Sequence, residues 1–353
     1  MNALPTGPRM YSAAELAARE LKPRPWLVRD WLPANQVSSI DGDGGAGKTT
    51  LGLQLCAAAA TGRSWLDQPV ARGPAIYLAS EDDLDELHRR VDAIGVHLGV
   101  SYEDMADLHL WPLAIEDPAL VAPGREDTIV ATERWAQLVA GVKAIKPAVV
   151  VLDSRADVFG GQEISRTQAR GFIGMLRRLA IDHETAVVIL GHPSLSGMSS
   201  GSGSSGSTHW RNAVRAGLYL RRGDDDGPPD RKVLELMKAN YGPTGLALNP
   251  RWCAGVYVPE EGAAPRDRAS AEAEVDGLFL HMLSRYEAQG RYVGDKPSSN
   301  YAPTVFSRDP TSGGVRRDAF VKAMNRLFEA GRLRVAETGR KGREVRKLVA
   351  VEP

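Results

Sequence analysis

The sequence predicts an α/β fold with a mainly parallel sheet, followed by a small C-terminal unit. Short apolar runs alternate with helical patterns from residue 36 to residue 237, which is typical of a parallel sheet covered by helices on both faces. The pattern G-x-x-x-x-G-K-[ST] at 42–49 lies between the first apolar run and a helical pattern. Residues 259–272 contain almost no bulky apolar side chain, which indicates a linker to a second unit.

The strands and helices follow from these patterns in order. The predicted strands are 37–41, 75–79, 108–113, 148–152, 186–190, 217–221 and 233–237. Helical spacing of apolar residues occurs at 50–60, 84–98 and 135–145. The polar turn at 224–230 separates the last two strands, so these two strands are expected to form a hairpin at the edge of the sheet.

The C-terminal unit is predicted to be a winged helix. One helix is expected around 275–286, and another has Phe320, Met324, Leu327 and Phe328 on one side. Two strands with a Gly-rich basic turn between them follow. The predicted organisation is an N-terminal arm at 1–24, an α/β domain at 25–258, a linker at 259–272 and a winged-helix-like domain at 273–353.

Composition and charge argue against a membrane-spanning, secreted or disulfide-bonded protein. The 353 residues have a formal net charge of zero, so the whole chain gives no reason to expect a nucleic-acid partner. No apolar run is long enough to span a bilayer, and the N-terminus lacks the pattern of a secretory signal. Cys56 and Cys253 are the only cysteines, which makes a disulfide improbable. We expect a soluble protein with no membrane partner, in a reducing cytoplasm.

The pattern at 42–49 is a complete P-loop, for which a chance Gly-rich turn is the weaker alternative. Glycines let successive backbone N–H groups point at phosphate oxygens, and the following helix adds the positive end of its dipole. Lys48 is expected to reach the β and γ phosphates of ATP, and the Thr49 hydroxyl is expected to bind Mg²⁺. The predicted nucleotide-binding residues of this segment are Gly42, Gly44, Gly45, Ala46, Gly47, Lys48, Thr49 and Thr50.

Two acidic strand ends supply the remaining hydrolytic groups. Asp153 follows a buried strand and is predicted to bind Mg²⁺ from the neighbouring strand end. The next residue is Ser154, so the base that orients the attacking water must come from elsewhere. Glu81, after another buried strand, is the predicted base; Asp82 is the alternative, and either acid can instead serve as an N-terminal charge of the next helix.

A third strand end carries Gly191-His192, followed by a Gly/Ser stretch at 194–209. His192 is predicted to hydrogen-bond the terminal phosphate and to respond to its loss; a capping role before Pro193 is the alternative. The Gly/Ser stretch is either a plain flexible connection or a working loop.

These elements, in this order, resemble the RecA-like ATPases, and most closely the RepA-type hexameric replicative helicases of plasmids and phages. The resemblance spans about residues 25–245 and is carried by DGDGGAGKTT, SEDDLDELHRR, VVVLDS, LGHPS, NAVRAGLYL and KANYG. It implies a homo-oligomeric ring, a hexamer, with ATP between subunits. Arg215 then resembles the finger that reaches a neighbour's γ phosphate, and Arg90 a second interfacial arginine. Lys238 lies at a strand end that can also approach phosphate.

The resemblance also implies that the loops at about 155–168 and 194–209 face a central channel and hold single-stranded DNA. The predicted function is therefore an ATP-driven ring motor in plasmid, phage or mobile-element replication. An ATP-gated DNA-binding or loading protein that does not unwind is the alternative, and a small-molecule kinase is less favoured. Duplex DNA or a replication protein is the predicted partner of the C-terminal unit, through basic residues Arg316, Arg317, Arg340, Lys341 and Arg343.

Overall fold

The structure is a computed structural model. It describes residues 10–17, 19–192, 208–223, 228–260, 266–312, 315, 317–338 and 345–351. The chain divides into two compact units. The first comprises Met1–Leu234, Lys238–Gly242 and Pro250–Pro259, and the second comprises Glu235–Met237, Pro243–Asn249 and Glu260–Pro353.

The strands and helices have the following bounds in the described residues. The strands are β1 (Trp26–Val28), β2 (Leu32–Pro33), β3 (Val37–Gly42), β4 (Ala75–Ala79), β5 (Leu108–Pro112), β6 (Val121–Pro123), β7 (Ile129–Ala131), β8 (Val149–Asp153), β9 (Ala186–Gly191), β10 (Ala216–Arg222), β11 (Lys232–Ala239), β12 (Leu246–Leu248), β13 (Pro250–Cys253), β14 (Val256–Pro259), β15 (Arg266–Asp267), β16 (Leu333–Thr338) and β17 (Val345–Ala350). The helices are α1 (Ala13–Leu16), α2 (Lys48–Thr61), α3 (Leu84–Leu98), α4 (Glu133–Ile145), α5 (Arg155–Val158), α6 (Arg166–Asp182), α7 (Thr208–Ala213), α8 (Arg268–Ala288), α9 (Ala302–Ser307) and α10 (Arg317–Glu329), with a short 3₁₀ helix at Pro310–Ser312.

The first unit is built on a mainly parallel sheet, which confirms the predicted fold class. Its strands lie in the order β11-β10-β3-β9-β8-β4-β5, and the pairs from β10 to β5 are all parallel. Backbone bonds from Gly223 to Arg231 and from Asn240 to Arg215 join the two ends of β10 and β11. These two strands therefore form the predicted antiparallel hairpin.

Both faces of this sheet are covered, which explains why its strands are apolar throughout rather than alternating. On one face Val150 belongs to a core cluster with Leu138 of α4 and Phe172 of α6. On the other face Val151 lies beside α2, where a side chain at Gly52 would meet it at 3.2 Å. Adjacent residues of β8 thus pack against different helices.

The carboxyl ends of four neighbouring parallel strands lie along one edge of the sheet. In register, Asp41 of β3 pairs with Gly191 of β9, and Ala79 of β4 pairs with Asp153 of β8. In an open α/β sheet, ligands bind in the crevice outside such strand ends. The P-loop, Glu81, Asp153 and His192 all follow these ends.

The second unit has its own core. Its described elements are the antiparallel pair β12–β15, helices α8, α9 and α10, and the antiparallel hairpin β16–β17. Phe279, Phe306 and Phe320 are fully buried in one cluster with Leu333 and Leu348 of the hairpin. The helices and hairpin occur in the predicted order, with α8 beginning at Arg268; the winged-helix assignment stays a prediction.

Most of the basic residues predicted to bind a partner there, namely Arg316, Arg340, Lys341 and Arg343, lie outside the described residues. Arg317 is described: it is exposed, and its Nε donates to the Thr304 hydroxyl at 3.1 Å. Among the residues that the structure describes, every helix is too short or too polar to span a bilayer.

Candidate nucleotide-binding site

The P-loop closes around the ammonium group of Lys48. Helix α2 begins at Lys48, directly after Gly47, whose φ of 99° is unfavourable for any residue with a side chain. Lys48 is buried, and its Nζ donates to the backbone oxygens of Gly42 at 2.7 Å and Asp43 at 2.9 Å. Burial lowers the pKa of Lys48, against the attraction of nearby carboxylates. The loop therefore holds a cation where the pattern places phosphates.

The residues predicted to hold Mg²⁺ lie together. Asp153 accepts a 2.6 Å hydrogen bond from the Tyr77 hydroxyl, and the pKa of Asp153 is raised by burial, although hydrogen bonds from Tyr77 and Thr49 oppose that rise. A buried carboxylate beside a threonine hydroxyl suits Mg²⁺, which prefers oxygen ligands and usually binds one or two carboxylates together with substrate phosphates. Thr49 and Asp153 thus fit the predicted metal. The sequence did not indicate Tyr77, whose hydroxyl is concealed in an apolar strand pattern.

The two candidate bases differ in their surroundings. Glu81 lines the cavity above the P-loop. Asp82 instead forms an ion pair with Arg90 at 2.8 Å, and Arg90 also pairs with Glu86 at 3.2 Å. The N-terminus of α3 is capped by Asp83, which accepts from the Glu86 N–H at 2.8 Å. Because Asp82 is engaged by the arginine and Asp83 caps the helix, Glu81 is the acid best placed to meet a substrate.

His192 lies directly against the P-loop lysine. Its Nδ1 is 3.3 Å from Lys48 Nζ. Burial and the positive charge of Lys48 lower the pKa of His192, which favours a neutral imidazole that accepts from the ammonium through Nδ1.

An unpredicted arginine holds this strand end in place. Arg155 is buried, and its guanidinium donates to Asp41 at 2.7 Å and to the His192 carbonyl at 2.8 Å. It also lies 5.1 Å from the centre of the Trp210 ring. The resemblance implied that Arg155 begins a loop facing a central channel, whereas in the structure Arg155 begins α5 and is buried. Its partners are remote in the chain.

One cavity of about 630 Å³ joins the predicted groups. This size is typical of small-ligand pockets. The predicted residues that line it are Gly45, Gly47, Lys48, Thr49, Thr50, Glu81, Arg90, Asp153 and His192. Arg90 therefore lies at its own protomer's cavity, where its guanidinium also donates to the Thr50 hydroxyl at 3.3 Å.

A family model described as AAA domain matches residues 5–198, which is more than half of the chain. The chain belongs to the AAA domain family. Among solved structures, a KaiC-like protein of the hyperthermophilic archaeon Pyrococcus horikoshii OT3 is similar at 13% sequence identity and a TM-score of 0.46, covering 66% of this chain and 93% of the other. The protein is thus an AAA-domain protein whose first unit is built on a mainly parallel α/β sheet.

Arg215 and Lys238 do not lie at the AAA domain's phosphate cavity. Arg215 precedes β10, and Ala216 pairs with Ser38 near the amino end of β3, whereas the P-loop follows Gly42 at the other end. At about 3.3 Å per residue, the four residues from Ser38 to Gly42 span roughly 13 Å. Neither residue lines the cavity at the P-loop of its own protomer.

These two residues belong instead to a group of four cations, which we call the cationic cluster: Arg177, Arg211, Arg215 and Lys238. Lys238 Nζ donates to the carbonyls of Arg211 at 3.0 Å and Asn212 at 2.8 Å, and Arg177 donates to the Ala213 carbonyl at 2.7 Å. Lys238 and Arg177 therefore cap the C-terminus of α7, where cations are favourable. Burial, and then the three arginines, lower the pKa of Lys238.

The antiparallel hairpin β13–β14 contributes a further wall of the cavity, beside Pro229, Asp230 and Lys232. Trp252 and Tyr257 of this hairpin line the cavity, and the Tyr257 hydroxyl donates to the Ala46 carbonyl at 2.7 Å. A Cβ atom at Gly47 would come within 2.2 Å of that hydroxyl oxygen. This wall was not predicted, because residues 250–259 lie outside the alternating strand and helix pattern.

Proposed function

We propose that the protein is an ATP-hydrolysing ring motor that acts on single-stranded DNA, a helicase of plasmid, phage or mobile-element replication. The observation that carries this proposal is the position of the cationic cluster at the opposite end of the sheet from the P-loop. In a ring, the cationic cluster of one protomer can face the phosphate cavity of the next, so that each ATP is shared by two chains.

Within one protomer the cavity provides groups for binding and for activating water. Lys48 and the P-loop N–H groups hold the β and γ phosphates, and His192 contacts the terminal phosphate from the next strand end. Thr49 and Asp153 would hold Mg²⁺, which neutralises charge that develops on the phosphates. Glu81 orients the attacking water and accepts its proton.

Replacing the acid separates Glu81 from the alternative base Asp82. Glu81→Gln is expected to lower kcat by about 10²–10⁴-fold with ATP binding retained. Asp82→Asn, which disturbs only the partner of Arg90, is the matched control and is expected to lower kcat far less. If Asp82→Asn is the more damaging change, the assignment of the base to Glu81 is wrong.

The cationic cluster supplies positive charge to the phosphate cavity of the neighbouring protomer. Four positive side chains near one another are mutually repulsive, and a polyanion such as a triphosphate relieves this repulsion. Arg215, which like the other three members is half-buried, lies two residues after the end of α7. An arginine finger contributes about 10³–10⁵-fold to hydrolysis in NTPases.

DNA contact is proposed for the loops that follow β8 and β9. In the segment predicted as the first loop, 155–168, residues 162–164 and 166–167 are exposed, whereas Arg155, which begins α5, and Gln168, in the first turn of α6, are buried. The Gly/Ser stretch lies mostly outside the described residues, but its two described flanks meet at Arg155, which bonds the His192 carbonyl and lies against the Trp210 ring. We therefore expect Arg155 to transmit a change in the contact between His192 and the terminal phosphate to both flanks of this stretch.

Mixing two inactive variants tests the shared site. Lys48→Ala and Arg215→Ala subunits are each expected to hydrolyse ATP poorly alone, and their mixture is expected to recover activity, because some interfaces combine an intact Lys48 with an intact Arg215. A mixture of Lys48→Ala with Lys48→Ala/Arg178→Ala, in which the second change lies at an exposed arginine of α6, is the control and should recover nothing. No recovery in a mixture shown to assemble contradicts the proposal.

A strand-displacement assay on forked DNA tests the motor itself. ATP-dependent displacement supports a helicase, while DNA-stimulated hydrolysis without displacement supports the alternative of an ATP-gated DNA-binding or loading protein. The C-terminal unit is proposed to bind duplex DNA or a replication protein. Duplex binding through its basic residues should weaken steeply as salt rises, and protein binding should not.

A further inference from the structure

The cavity at the P-loop is lined by aromatic as well as cationic side chains. Its lining includes Lys48 and Thr49, and it also includes Trp252 of the hairpin β13–β14. Trp252 keeps 39% of its surface exposed, so part of its ring is free to contact a ligand in the cavity.

The hairpin is fixed to the P-loop helix. The side-chain amide of Gln54 in α2 donates to the Tyr257 carbonyl at 2.9 Å and accepts from the Tyr257 N–H at 2.9 Å. Both bonds are buried. Together with the bond from the Tyr257 hydroxyl to Ala46, they place the hairpin at a set distance from the phosphates.

Trp252 itself is held in one position within this wall. Its backbone N–H donates to the Asp230 carbonyl at 2.8 Å, and its ring meets the Tyr257 ring edge-to-face with centres 5.2 Å apart. The guanidinium of Arg251, the residue before Trp252, also pairs with the Asp230 carboxylate at 3.7 Å. The indole is therefore preorganised, and it keeps exposed surface beside the cavity.

We propose that the Trp252 ring is the surface on which the base of the bound nucleotide stacks. The inference rests on the proposed ATP site: with the triphosphate on the P-loop, the nucleoside extends away from Lys48 and meets the wall contributed by the hairpin. Stacking on an aromatic face contributes to binding without reading base edges. Trp252 thus sets the affinity for a nucleoside triphosphate over a bare polyphosphate.

Calorimetry with two ligands tests this assignment, using ATP and inorganic tripolyphosphate, each with Mg²⁺. Trp252→Ala is expected to weaken ATP binding by about 5- to 150-fold and to leave tripolyphosphate binding unchanged. Trp252→Phe keeps an aromatic face and should retain most of the ATP affinity. Tyr102→Ala removes another exposed aromatic ring of the same unit, which does not line the cavity, and should change neither ligand.

The failures are distinguishable. If Lys48→Ala abolishes binding of both ligands while Trp252→Ala weakens neither, the stacking assignment is wrong and the ATP site stands. Equal losses of ATP and tripolyphosphate in Trp252→Ala also overturn the assignment, because a stacking ring has no contact with phosphate. If Lys48→Ala leaves ATP binding intact, the proposed ATP site itself is wrong.

Discussion

Replacing Arg155 is expected to destabilise the AAA domain far more than replacing an exposed arginine. The Arg155 and Asp41 side chains are only 5% and 14% exposed and lie 2.7 Å apart. Removing one partner of a buried pair costs about 3–5 kcal/mol, since the other charge is left without compensation. Lys48 also attracts Asp41, so we expect Arg155→Met to lower the free energy of unfolding by about 3 kcal/mol, the lower end of that range.

Urea unfolding followed by tryptophan fluorescence measures this change in the first unit alone. All seven tryptophans lie between residues 26 and 252, within that unit. Arg178→Met is the matched control: Arg178 pairs with Asp182 at 3.3 Å on α6, but the two side chains are 85% and 54% exposed. Such a surface pair contributes about 0.3–0.5 kcal/mol.

A double-mutant cycle identifies the cause of the loss. Asp41→Asn removes the charge that Arg155 compensates, so the double variant Arg155→Met/Asp41→Asn should be more stable than the sum of the single losses predicts, with a coupling energy of about 1–3 kcal/mol. Strict additivity, or a loss in Arg155→Met as small as that in Arg178→Met, would refute the reasoning.

Two further predictions concern the P-loop and the metal site. Tyr77→Phe removes the hydrogen bond to Asp153, so it should raise the Mg²⁺ concentration needed for half-maximal hydrolysis by about tenfold; an unchanged Mg²⁺ titration would contradict this. Gly47→Ala forces a side chain at a φ of 99° into the Tyr257 hydroxyl and should weaken ATP binding by about tenfold or more, whereas Gly44→Ala, with no atom within 4 Å of the added Cβ, should keep it. Similar affinities for the two glycine variants would show that the tyrosine wall does not constrain the loop.

The parts of the site that follow parallel strands were predictable from the sequence. Each buried run ends where a functional side chain begins, and parallel strands bring such ends to one edge of the sheet, so Glu81, Asp153 and His192 could be placed near Lys48 without coordinates. That they line one cavity agrees with this reasoning; their chemical roles stay predictions.

The parts that depend on tertiary contact were not predictable. Arginine is usually an exposed residue. Only the fold shows that the partners of Arg155 are the Asp41 carboxylate and the His192 carbonyl. Lys238 was predicted to approach phosphate because it lies at the end of a strand. That strand, β11, runs antiparallel to its neighbour β10, so this strand end lies away from the P-loop. There Lys238 caps α7. Strand direction decides between the two outcomes, and here it was available from the polar turn at 224–230 that predicted the hairpin.

The link between Gln54 and Tyr257, 203 positions apart in the chain, has a consequence for how the protein is cut and expressed. A recombinant fragment that stops after β9 retains every P-loop residue, but it lacks the hairpin β13–β14 and leaves the Gln54 amide facing water. The affinity of such a fragment for a nucleotide would come only from contacts between the P-loop and the phosphates. The smallest piece that preserves the pocket therefore extends through Pro259.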